Sequence, residues 1–414
     1  MNKRKKNPSV DVYERLADAL EALPSGFPRM PSGVEIELIK IVFTDEEALV
    51  ASQLTITPET AAEIAKRVGL DEEKVTVLLE SMVPRRMVRA DTLALESGIK
   101  GLGKFEAKDS QEPNAEPVKK YRLSPFVVGW YEAYLQQPMP ETERFAELYE
   151  QYVIEGGGER IFAPRPGPHG VIPYRGSLKP EWLEREPHND IDAHFQRYDR
   201  FLLVDCVCKK EKAAAHGHSC DMPIKRCGFI GMPPAVPLSE NVIPREQASK
   251  LFAEYDAMGT MICQGFYGFT MGAEAPQFVG CCHCCGCCCA MQNSGRLDPS
   301  IKETVQRSNY RVVKDNDKCT NCGECIRRCE ATLHFSAHTW KNTEDGKVAV
   351  YDRDNCVGCG ACIMGCKFDA IELEPVSEEE WFHVASSFTE WEEQRLAYLA
   401  AEQQRGGPNA PAMK

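Results

Sequence analysis

The strongest constraint on this 414-residue chain is a cysteine spacing that occurs twice near its C-terminal end. Each copy reads C-x2-C-x2-C-x3-C, and all four cysteines of the second copy stand in register with those of the first. The first copy consists of Cys319, Cys322, Cys325 and Cys329. The second consists of Cys356, Cys359, Cys362 and Cys366. A short segment that must gather eight thiols leaves its backbone little freedom.

This spacing is typical of ligands for cubane [4Fe-4S] clusters. Three thiolates on a tight loop reach three irons of one cubane, while the fourth is carried away by a short helix and binds the neighbouring cluster. We therefore predict two C-terminal clusters. Their ligands would be Cys319, Cys322, Cys325 and Cys366 for one, and Cys356, Cys359, Cys362 and Cys329 for the other. Zinc is not expected here, because zinc sites lack this doubled pattern.

Residues from about 310 to 375 resemble a bacterial two-cluster ferredoxin. In that family a proline usually follows the fourth cysteine, whereas Glu330 and Lys367 stand at these positions here. The resemblance implies a low reduction potential, which hydrogen bonds and charges near the clusters can alter. We also expect Gly323, Gly358 and Gly360 to let the backbone approach the clusters and direct N–H groups at sulfur.

The remaining cysteines concentrate in the middle of the chain. Of the 20 cysteines none precedes Cys206, and the segment 281–289 reads CCHCCGCCC. Adjacent cysteines suit disulfide geometry poorly, so these thiols are interpreted as soft ligands for iron or zinc in a reducing cell. The predicted cofactor-binding residues are Cys206, Cys208, Cys220, Cys227, Cys282, Cys284, Cys285, Cys287, Cys288 and Cys289.

The grouping of these central cysteines is open from the sequence alone. A predicted strand at 201–208 would direct Cys206 and Cys208 to the same side, and with Cys220 and Cys227 they could hold one cubane. The cysteines of 282–289 would supply another cluster or complete the first, giving one or two central iron–sulfur clusters. Zinc ligation and thiol chemistry are the alternatives. Cys263 and Cys281 stand outside the pattern and are interpreted as buried free cysteines; His216, His218 and His283 are not expected to bind metal.

The combination of segments extends the resemblance over most of the chain. The pattern DCVCKK…SCDMPIKRC…CCHCCGCCC, before a two-cluster ferredoxin end, resembles uncharacterised 4Fe-4S proteins of anaerobes. That resemblance implies iron–sulfur binding but no substrate. The adjacent cysteines are also weakly similar to the CCG segments of heterodisulfide-reductase-like proteins.

An α+β, multi-domain fold is predicted. Thr44 with Glu47, and Thr57 before Pro58, indicate helix starts. The helix that starts at Thr57 would end at Gly69, and Asp71 would cap the next helix. With two possible strands and a long polar wing at about 95–118 after them, these helices favour a winged helix-turn-helix. The predicted segments are 1–33, an arm and helix; 34–124, winged-helix-like; 125–200, a connector of helices and loops; 201–309, cysteine-rich; 310–376, ferredoxin-like; and 377–414, a helix and disordered tail.

Charge and hydropathy restrict the functional classes. The net charge is −13, and the predicted recognition helix carries Glu72, Glu73 and Glu80 against Lys74, so nucleic-acid binding is not expected. Neither a secretory signal nor an apolar run long enough to span a membrane is apparent, which predicts a cytoplasmic protein. A strongly reducing or anaerobic cell is a natural corollary.

These patterns predict an electron-transfer protein that relays single electrons between oxidoreductase partners. One alternative is an oxidoreductase subunit with a substrate or thiol site at residues 282–289. Another is a cluster-dependent transcription regulator that senses redox state. At the C-terminal end, Ser377 with Glu380 predicts a capping box opening a helix with Trp381, Val384, Phe388 and Trp391 on one face.

Overall fold

The computed structural model describes residues 8–90, 118–137, 139–186, 189–232, 237–258, 262–267, 278–297, 304–333, 336–344, 346–383, 385 and 388–405. The chain divides into two compact units. The first comprises Met1–Ile161, Lys210–His218 and Ala400–Lys414, and the second Phe162–Lys209 and Ser219–Leu399. Helices and small sheets occur together, which confirms the predicted α+β class in its coarse form.

The first unit begins with helices and a small antiparallel sheet. The helices are α1 (Pro8–Glu21), α2 (Val34–Val42), α3 (Asp45–Ala51), α4 (Ala61–Val68) and α5 (Glu72–Met82). The strands are β1 (Glu59–Thr60), β2 (Val88–Ala90) and β3 (Lys120–Leu123), which pair in the order β1-β3-β2. The predicted wing lies almost entirely outside the described residues.

Local capping determines where these helices begin. The predicted capping box of Thr44 and Glu47 opens α3 as expected. The start predicted at Thr57 is wrong, because Thr60 caps α4 and forms a reciprocal box with Glu63. The side-chain oxygen of Thr60 accepts from the amide of Glu63, and the carboxylate of Glu63 accepts from the amide of Thr60, so this pair satisfies free N–H groups at the helix start.

The rest of the first unit is an aromatic core. A π-helical turn (Phe126–Trp130) leads into α6 (Tyr131–Gln136) and α7 (Thr142–Ile154), followed by α8 (Gly157–Phe162) at the boundary of the unit. Phe27 packs edge-on against Phe126 with ring centroids 5.0 Å apart, and Trp130 packs edge-on against Phe43. Edge-to-face aromatic pairs bury large apolar areas in favourable geometry, which makes this cluster the centre of the unit.

The second unit contains the cysteine-bearing half of the chain. Its strands are β4 (His169–Ile172), β5 (Arg200–Asp205), β6 (Lys225–Met232), β7 (Val242–Pro244), β8 (Ile262–Tyr267) and β9 (Phe278–Cys284). They pair as β4-β8-β9 and β6-β5-β7, and β6 also lies beside β9. The helices are α9 (Pro180–Arg185), α10 (Ile191–Arg197), α11 (Val207–His216), α12 (Arg245–Met258) and α13 (Ala290–Leu297).

The predicted strand over 201–208 needs a correction. β5 ends at Asp205 and α11 begins at Val207, so Cys206 and Cys208 flank a strand-to-helix junction. The amide of Cys206 donates to the carbonyl of Ile224, and the amide of Lys209 bonds back to the carbonyl of Cys206. The apolar run FLLV is therefore a buried strand, and the polar KKEK sequence after it continues as a helix.

The C-terminal part of the second unit contains a sheet, a hairpin and a helix. The elements are β10 (Tyr310–Lys314), α14 (Glu324–Leu333), β11 (His338–Thr343), β12 (Gly346–Tyr351) and β13 (Ile371–Pro375). β10 pairs antiparallel with β13, and β11 with β12. Short 3-10 turns cover Arg353–Asn355 and Ile363–Gly365.

The predicted helix start at Ser377 is also wrong. Only a 3-10 turn, Glu378–Glu380, follows Ser377, whose side chain forms no capping bond. The α-helix, α15, covers Phe388–Arg405. Trp391 on this helix is buried and donates its indole N–H to the carbonyl of Gly167. In the described part of the chain, none of the helices combines the length and apolarity needed to cross a membrane.

Candidate metal centres

The first C-terminal ligand set lines one pocket. Cys319, Cys322, Cys325 and Cys366 all line one concave pocket that is partly open to solvent. Cys325 is buried, whereas Cys322 is exposed. The structure thus brings together the four cysteines that the sequence assigned to one cluster, with the fourth supplied by the second copy of the motif.

The second C-terminal ligand set is buried throughout. Cys329, Cys356, Cys359 and Cys362 are each less than one-tenth exposed. Burial, together with the neighbouring Cys329 and Cys356 sulfurs, raises the pKa of the Cys359 thiol. The amide of Ala337 donates to Cys329 Sγ at 3.3 Å, and the amide of Gly358 donates to Cys356 Sγ at 3.4 Å. Such N–H···S bonds favour the charged thiolate and tune a bound cluster.

The two C-terminal sets adjoin each other. Cys325 of the first set and Cys329 of the second lie one turn apart in α14. Burial raises the pKa of Cys362 well above its usual value, and the nearby sulfur of Cys325 adds to this effect. Glu330 and Lys367, which replace the family's prolines, are both exposed. They therefore add exposed charge beside the motif rather than buried charge.

Two glycines of the motif are required by space as well as by backbone conformation. Gly358 has φ of 72°, and a Cβ there would collide with Ser308 Oγ and the carbonyl oxygen of Tyr310. Gly360 has φ of 75°, and a Cβ there would collide with Ser177. Both positions combine a left-handed conformation with close approach of a neighbouring chain segment, which only glycine tolerates.

The central cysteines separate into two groups. The compact group, which we call the four-thiol site, consists of Cys220, Cys285, Cys287 and Cys288. Their four sulfurs all lie within 4.8 Å of one another. The Cys220 and Cys285 sulfurs are 3.7 Å apart, and those of Cys287 and Cys288 are 3.8 Å apart. The tight turn after β9 brings the last three together, because the amides of Cys288 and Cys289 both bond to the carbonyl of Cys285.

Two buried cations face the four-thiol site. Arg226 is fully buried and donates to Cys285 Sγ at 2.7 Å. Lys209 is 2% exposed and donates to Cys220 Sγ at 3.0 Å. Burial by itself would lower the pKa of Arg226, but the thiolates of Cys285 and Cys206 raise it above its usual value. Hydrogen bonds from Cys287 and Cys288, with the charge of Arg226, lower the pKa of Cys285.

The other group forms a closed circuit of thiols, which we call the six-thiol ring. Around the ring each cysteine contacts the next through its sulfur, in the order Cys206, Cys208, Cys289, Cys284, Cys282, Cys227 and back to Cys206. Hydrogen bonds from Cys208 and Cys227 hold the pKa of Cys206 well below its usual value. The amide of Ala290, which opens α13, donates to Cys208 Sγ at 3.4 Å.

Long-range strand pairing assembles the six-thiol ring. Cys227 lies on β6 opposite Val204 of β5, which places it next to Cys206 at the end of that strand. Cys282 and Cys284 lie two residues apart on β9, and alternation along a strand directs both to the same face. The sequence grouped Cys220 with Cys206, Cys208 and Cys227; the structure instead places Cys220 in the four-thiol site.

The remaining candidates lie apart from the sulfur groups. His283 points to the opposite face of β9, where it bonds to Asp256 at 3.3 Å and packs on Phe252. Cys281 is buried in the hydrophobic core of the second unit, as expected. Cys263 pairs with His283 across the sheet, and the surroundings of its side chain lie outside the described part. His216 Nε2 is 2.8 Å from Glu150, and His218 contacts the carbonyl of His216.

The sequence reasoning missed Lys209 and Arg226. A signal for both exists, because basic residues follow Cys208 and precede Cys227 directly, in CVCKK and IKRC. A long cationic side chain beside a predicted ligand is suited to donate to the thiolates of that site. Basic residues flanking ligand cysteines could therefore have been proposed as partners of the thiolates.

Comparison with known proteins characterises one part of the chain. No curated protein and no solved structure gives a significant match. Residues 311–367 match the family described as the 4Fe-4S dicluster domain. This segment contains all eight cysteines of the C-terminal repeat, and it is therefore a 4Fe-4S ferredoxin-like domain.

Proposed function

We propose that this protein relays single electrons between oxidoreductase partners. Two [4Fe-4S] clusters, in the C-terminal ligand sets, and one iron–sulfur cluster in the six-thiol ring would supply the redox chemistry. The observation that carries the proposal is the sequence of thiol groups through the second unit. A set open to solvent adjoins a buried set, and Tyr174 links the buried set to the sheet that carries two cysteines of the six-thiol ring.

A continuous path of main-chain contacts supports the connection to the central region. The amide of Tyr174 donates to the carbonyl of Cys359 at 2.9 Å. Tyr174 follows β4, which pairs with β8, and β8 pairs in turn with the cysteine-bearing β9. The second C-terminal set is thereby held against the same sheet that carries Cys282 and Cys284. A rigid connection of this kind keeps the separation of redox centres fixed.

The first C-terminal set is the proposed contact with a redox partner. Cys322 is exposed, and the apolar side chains of Trp340, Met364 and Phe368 are also more than one-third exposed. Phe368 lines the same pocket as the four cysteines. Exposed apolar side chains beside a solvent-facing centre suit a transient protein contact. Electrons would enter or leave at this end.

We also propose that the first unit contains a winged-helix domain. The order of its helices and the β1-β3-β2 sheet support it. α5 carries Glu72, Glu73 and Glu80; Lys74 pairs with Glu46, and Glu80 pairs with Lys119. A net negative helix suits a protein partner and disfavours DNA phosphates. We propose docking of redox proteins there rather than nucleic-acid binding.

The test is iron and sulfide analysis of protein purified without oxygen, combined with low-temperature EPR. Three four-iron clusters would give about twelve irons and about twelve sulfides per chain. After reduction, the EPR spectrum should show magnetic interaction between the two C-terminal clusters, because their ligand sets adjoin. Replacing Cys366 with Ser should disrupt the first set and remove that interaction.

A matched replacement controls for general damage. Cys281→Ala alters a buried cysteine that lies in the hydrophobic core, so iron content and EPR spectrum should both remain unchanged. Protein that is colourless and free of iron and sulfide would overturn the proposal. So would a purified chain whose clusters are not reduced by a low-potential donor.

A further inference from the structure

We infer that the four-thiol site binds a single tetrahedrally coordinated divalent metal ion, not a cubane cluster. This inference concerns Cys220, Cys285, Cys287 and Cys288, and it adds to the proposed relay a metal centre that carries no sulfide. It favours, for these four cysteines, the metal ligation that the sequence left open as an alternative to an iron–sulfur cluster. Zinc, or mononuclear iron, has the chemistry that four thiolates in a tetrahedron select.

The distances between sulfurs carry the inference. A metal ion with four sulfurs at about 2.3 Å in a tetrahedron places neighbouring sulfurs about 3.8 Å apart. The sulfurs of Cys220 and Cys285 are 3.7 Å apart, and those of Cys287 and Cys288 are 3.8 Å apart. The remaining pairs are all within 4.8 Å. The four sulfurs therefore surround a space for one ion.

The C-terminal sets provide an internal comparison. In a cubane each thiolate binds a different iron and points away from the common centre, so the four sulfurs stand further apart than around one ion. Among the described residues, the four-thiol site is the one group of metal-binding side chains whose ligand atoms all lie this close. Neither C-terminal set, whose cysteine spacing is that of cubane ligands, is drawn together in this way.

The buried cations at the four-thiol site balance the charge that four thiolates with a bound metal ion would carry. Four thiolates and one divalent ion carry a net charge of about −2, which is costly to bury unless it is compensated. Lys209 and Arg226 supply two buried positive charges, one donating to Cys220 and the other to Cys285. Buried cations in direct contact with sulfur are expected only where thiolates persist.

The geometry of the chain also resembles that of a closed structural site. Three ligands come from one turn, and the fourth, Cys220, comes from a distant segment, so the ion would cross-link two parts of the second unit. With four protein ligands the coordination is saturated, which is typical of structural rather than catalytic zinc. We expect the ion to stabilise the fold next to the six-thiol ring.

The experiment uses the full chain purified without oxygen. Elemental analysis should find about one zinc, or about one iron beyond those matched by sulfide, per chain. X-ray absorption at the edge of that metal should show four sulfur neighbours at about 2.3 Å and no second metal close by. If the ion is zinc, the measurement needs no variant, because the clusters contain iron and do not contribute at the zinc edge. If the ion is iron, the signal of mononuclear high-spin iron identifies it among the clusters.

A paired set of variants locates the ion. Cys220→Ser with Cys287→Ser should remove that one ion while sulfide and cluster iron are retained. Cys227→Ser with Cys282→Ser, in the six-thiol ring, should do the opposite. The EPR signals of the C-terminal clusters report in both cases that the second unit is folded.

Three results would overturn the inference. Wild-type protein could lack a mononuclear ion, or the variant with Cys220→Ser and Cys287→Ser could keep that ion. The third result is that this variant loses about four irons together with their sulfide. The last would indicate a cubane at the four-thiol site and would leave the proposed relay intact. Failure of the relay itself is a separate result, because it appears as absence of clusters from the C-terminal sets whatever the zinc content.

Discussion

At the residue scale, Arg226 is a buried positive charge on which thiols of both central groups act. Its guanidinium donates to Cys285, and the charge of Cys206 in the six-thiol ring also acts on it. A buried positive charge favours the reduced, more negative form of a nearby cluster. Arg226→Gln should therefore lower the reduction potential of the central cluster, by an amount on the order of 100 mV for one charge a few ångströms away.

The measurement is a redox titration followed by EPR, in which each cluster has its own midpoint. Arg226→Lys keeps the charge and should restore most of the lost potential, which separates electrostatics from packing. The C-terminal clusters serve as the internal reference and should keep their potentials. Equal shifts at all clusters, or a shift that Lys does not reverse, would count against a direct charge effect.

Gly358 gives a prediction about space at the second C-terminal set. An added Cβ would meet Ser308 Oγ and the Tyr310 carbonyl oxygen, and φ is 72°. Gly358→Ala should therefore abolish or strongly reduce iron binding at this set. Gly69→Ala is the matched control, since its φ is 75° and a Cβ there meets nothing within 4 Å.

The two variants separate backbone strain from steric exclusion. The control should cost about 1–2 kcal/mol of stability, which is the penalty of a left-handed conformation alone, and it should keep full iron content. Thermal unfolding and iron analysis of both proteins provide the comparison. A Gly358→Ala protein with full iron would show that the loop can move without losing its ligands.

At the element scale, the sequence predicted the C-terminal ligand sets better than the central groups. In the repeat, each loop carries three of its own ligands, and the resemblance to two-cluster ferredoxins implies the exchange of the fourth. The central groups depend on which strands pair. Cys227 meets Cys206 because β6 pairs with β5, and Cys282 and Cys284 meet the ring because β9 lies beside β6. Sequence spacing contains no information on such long-range pairing.

The predicted helix starts show the same difference: a start fixed by neighbouring residues could be predicted, whereas one that depends on distant residues could not. The box of Thr44 and Glu47 was predictable, because both partners lie within one turn of the helix start. Ser377 and Glu380 have the same spacing, yet the chain there forms only a 3-10 turn. The amide of Phe382 bonds instead to the side chain of Asn309, a residue far away in the sequence. The segment after this turn is thus held by a partner that is distant in the sequence.

Helix α11 contains a buried carboxyl group whose ionisation should affect stability. Glu211 is fully buried, and burial raises its pKa to about 8, with Glu150 adding to the effect and Lys212 opposing it. Because the folded state favours the protonated form, its contribution to stability is complete below the unfolded pKa. That contribution is lost as the pH rises from about 4.5 toward 8.

Glu211→Gln should therefore flatten the dependence of stability on pH. An amide stays neutral, so the variant should gain in melting temperature relative to wild type at pH 8 and gain little at pH 5. Thermal unfolding at the two pH values measures the difference. Glu254→Gln, at an exposed position in α12, is the control and should change neither value appreciably. The same gain at both pH values would refute the ionisation argument.

At the scale of the whole molecule, charge should govern the encounter with redox partners. The chain carries a net charge of −13, and a field of one sign accelerates association with oppositely charged molecules. Neither unit needs to change shape for this effect, since it acts before contact. A basic partner, or any cationic donor, should therefore react faster at low ionic strength.

Two viologen radicals of opposite charge test this expectation on one reaction. Reduced methyl viologen is a cation, and the radical of sulfonatopropyl viologen is an anion with the same aromatic core. Raising the salt from about 0.05 to 0.5 M shortens the screening length several-fold, so the rate constant for cluster reduction by the cation should fall. The rate constant with the anion should rise, because repulsion is screened in the same way. Stopped-flow absorbance measures both, and equal salt responses would mean that the site of electron entry is not governed by the negative field of the protein.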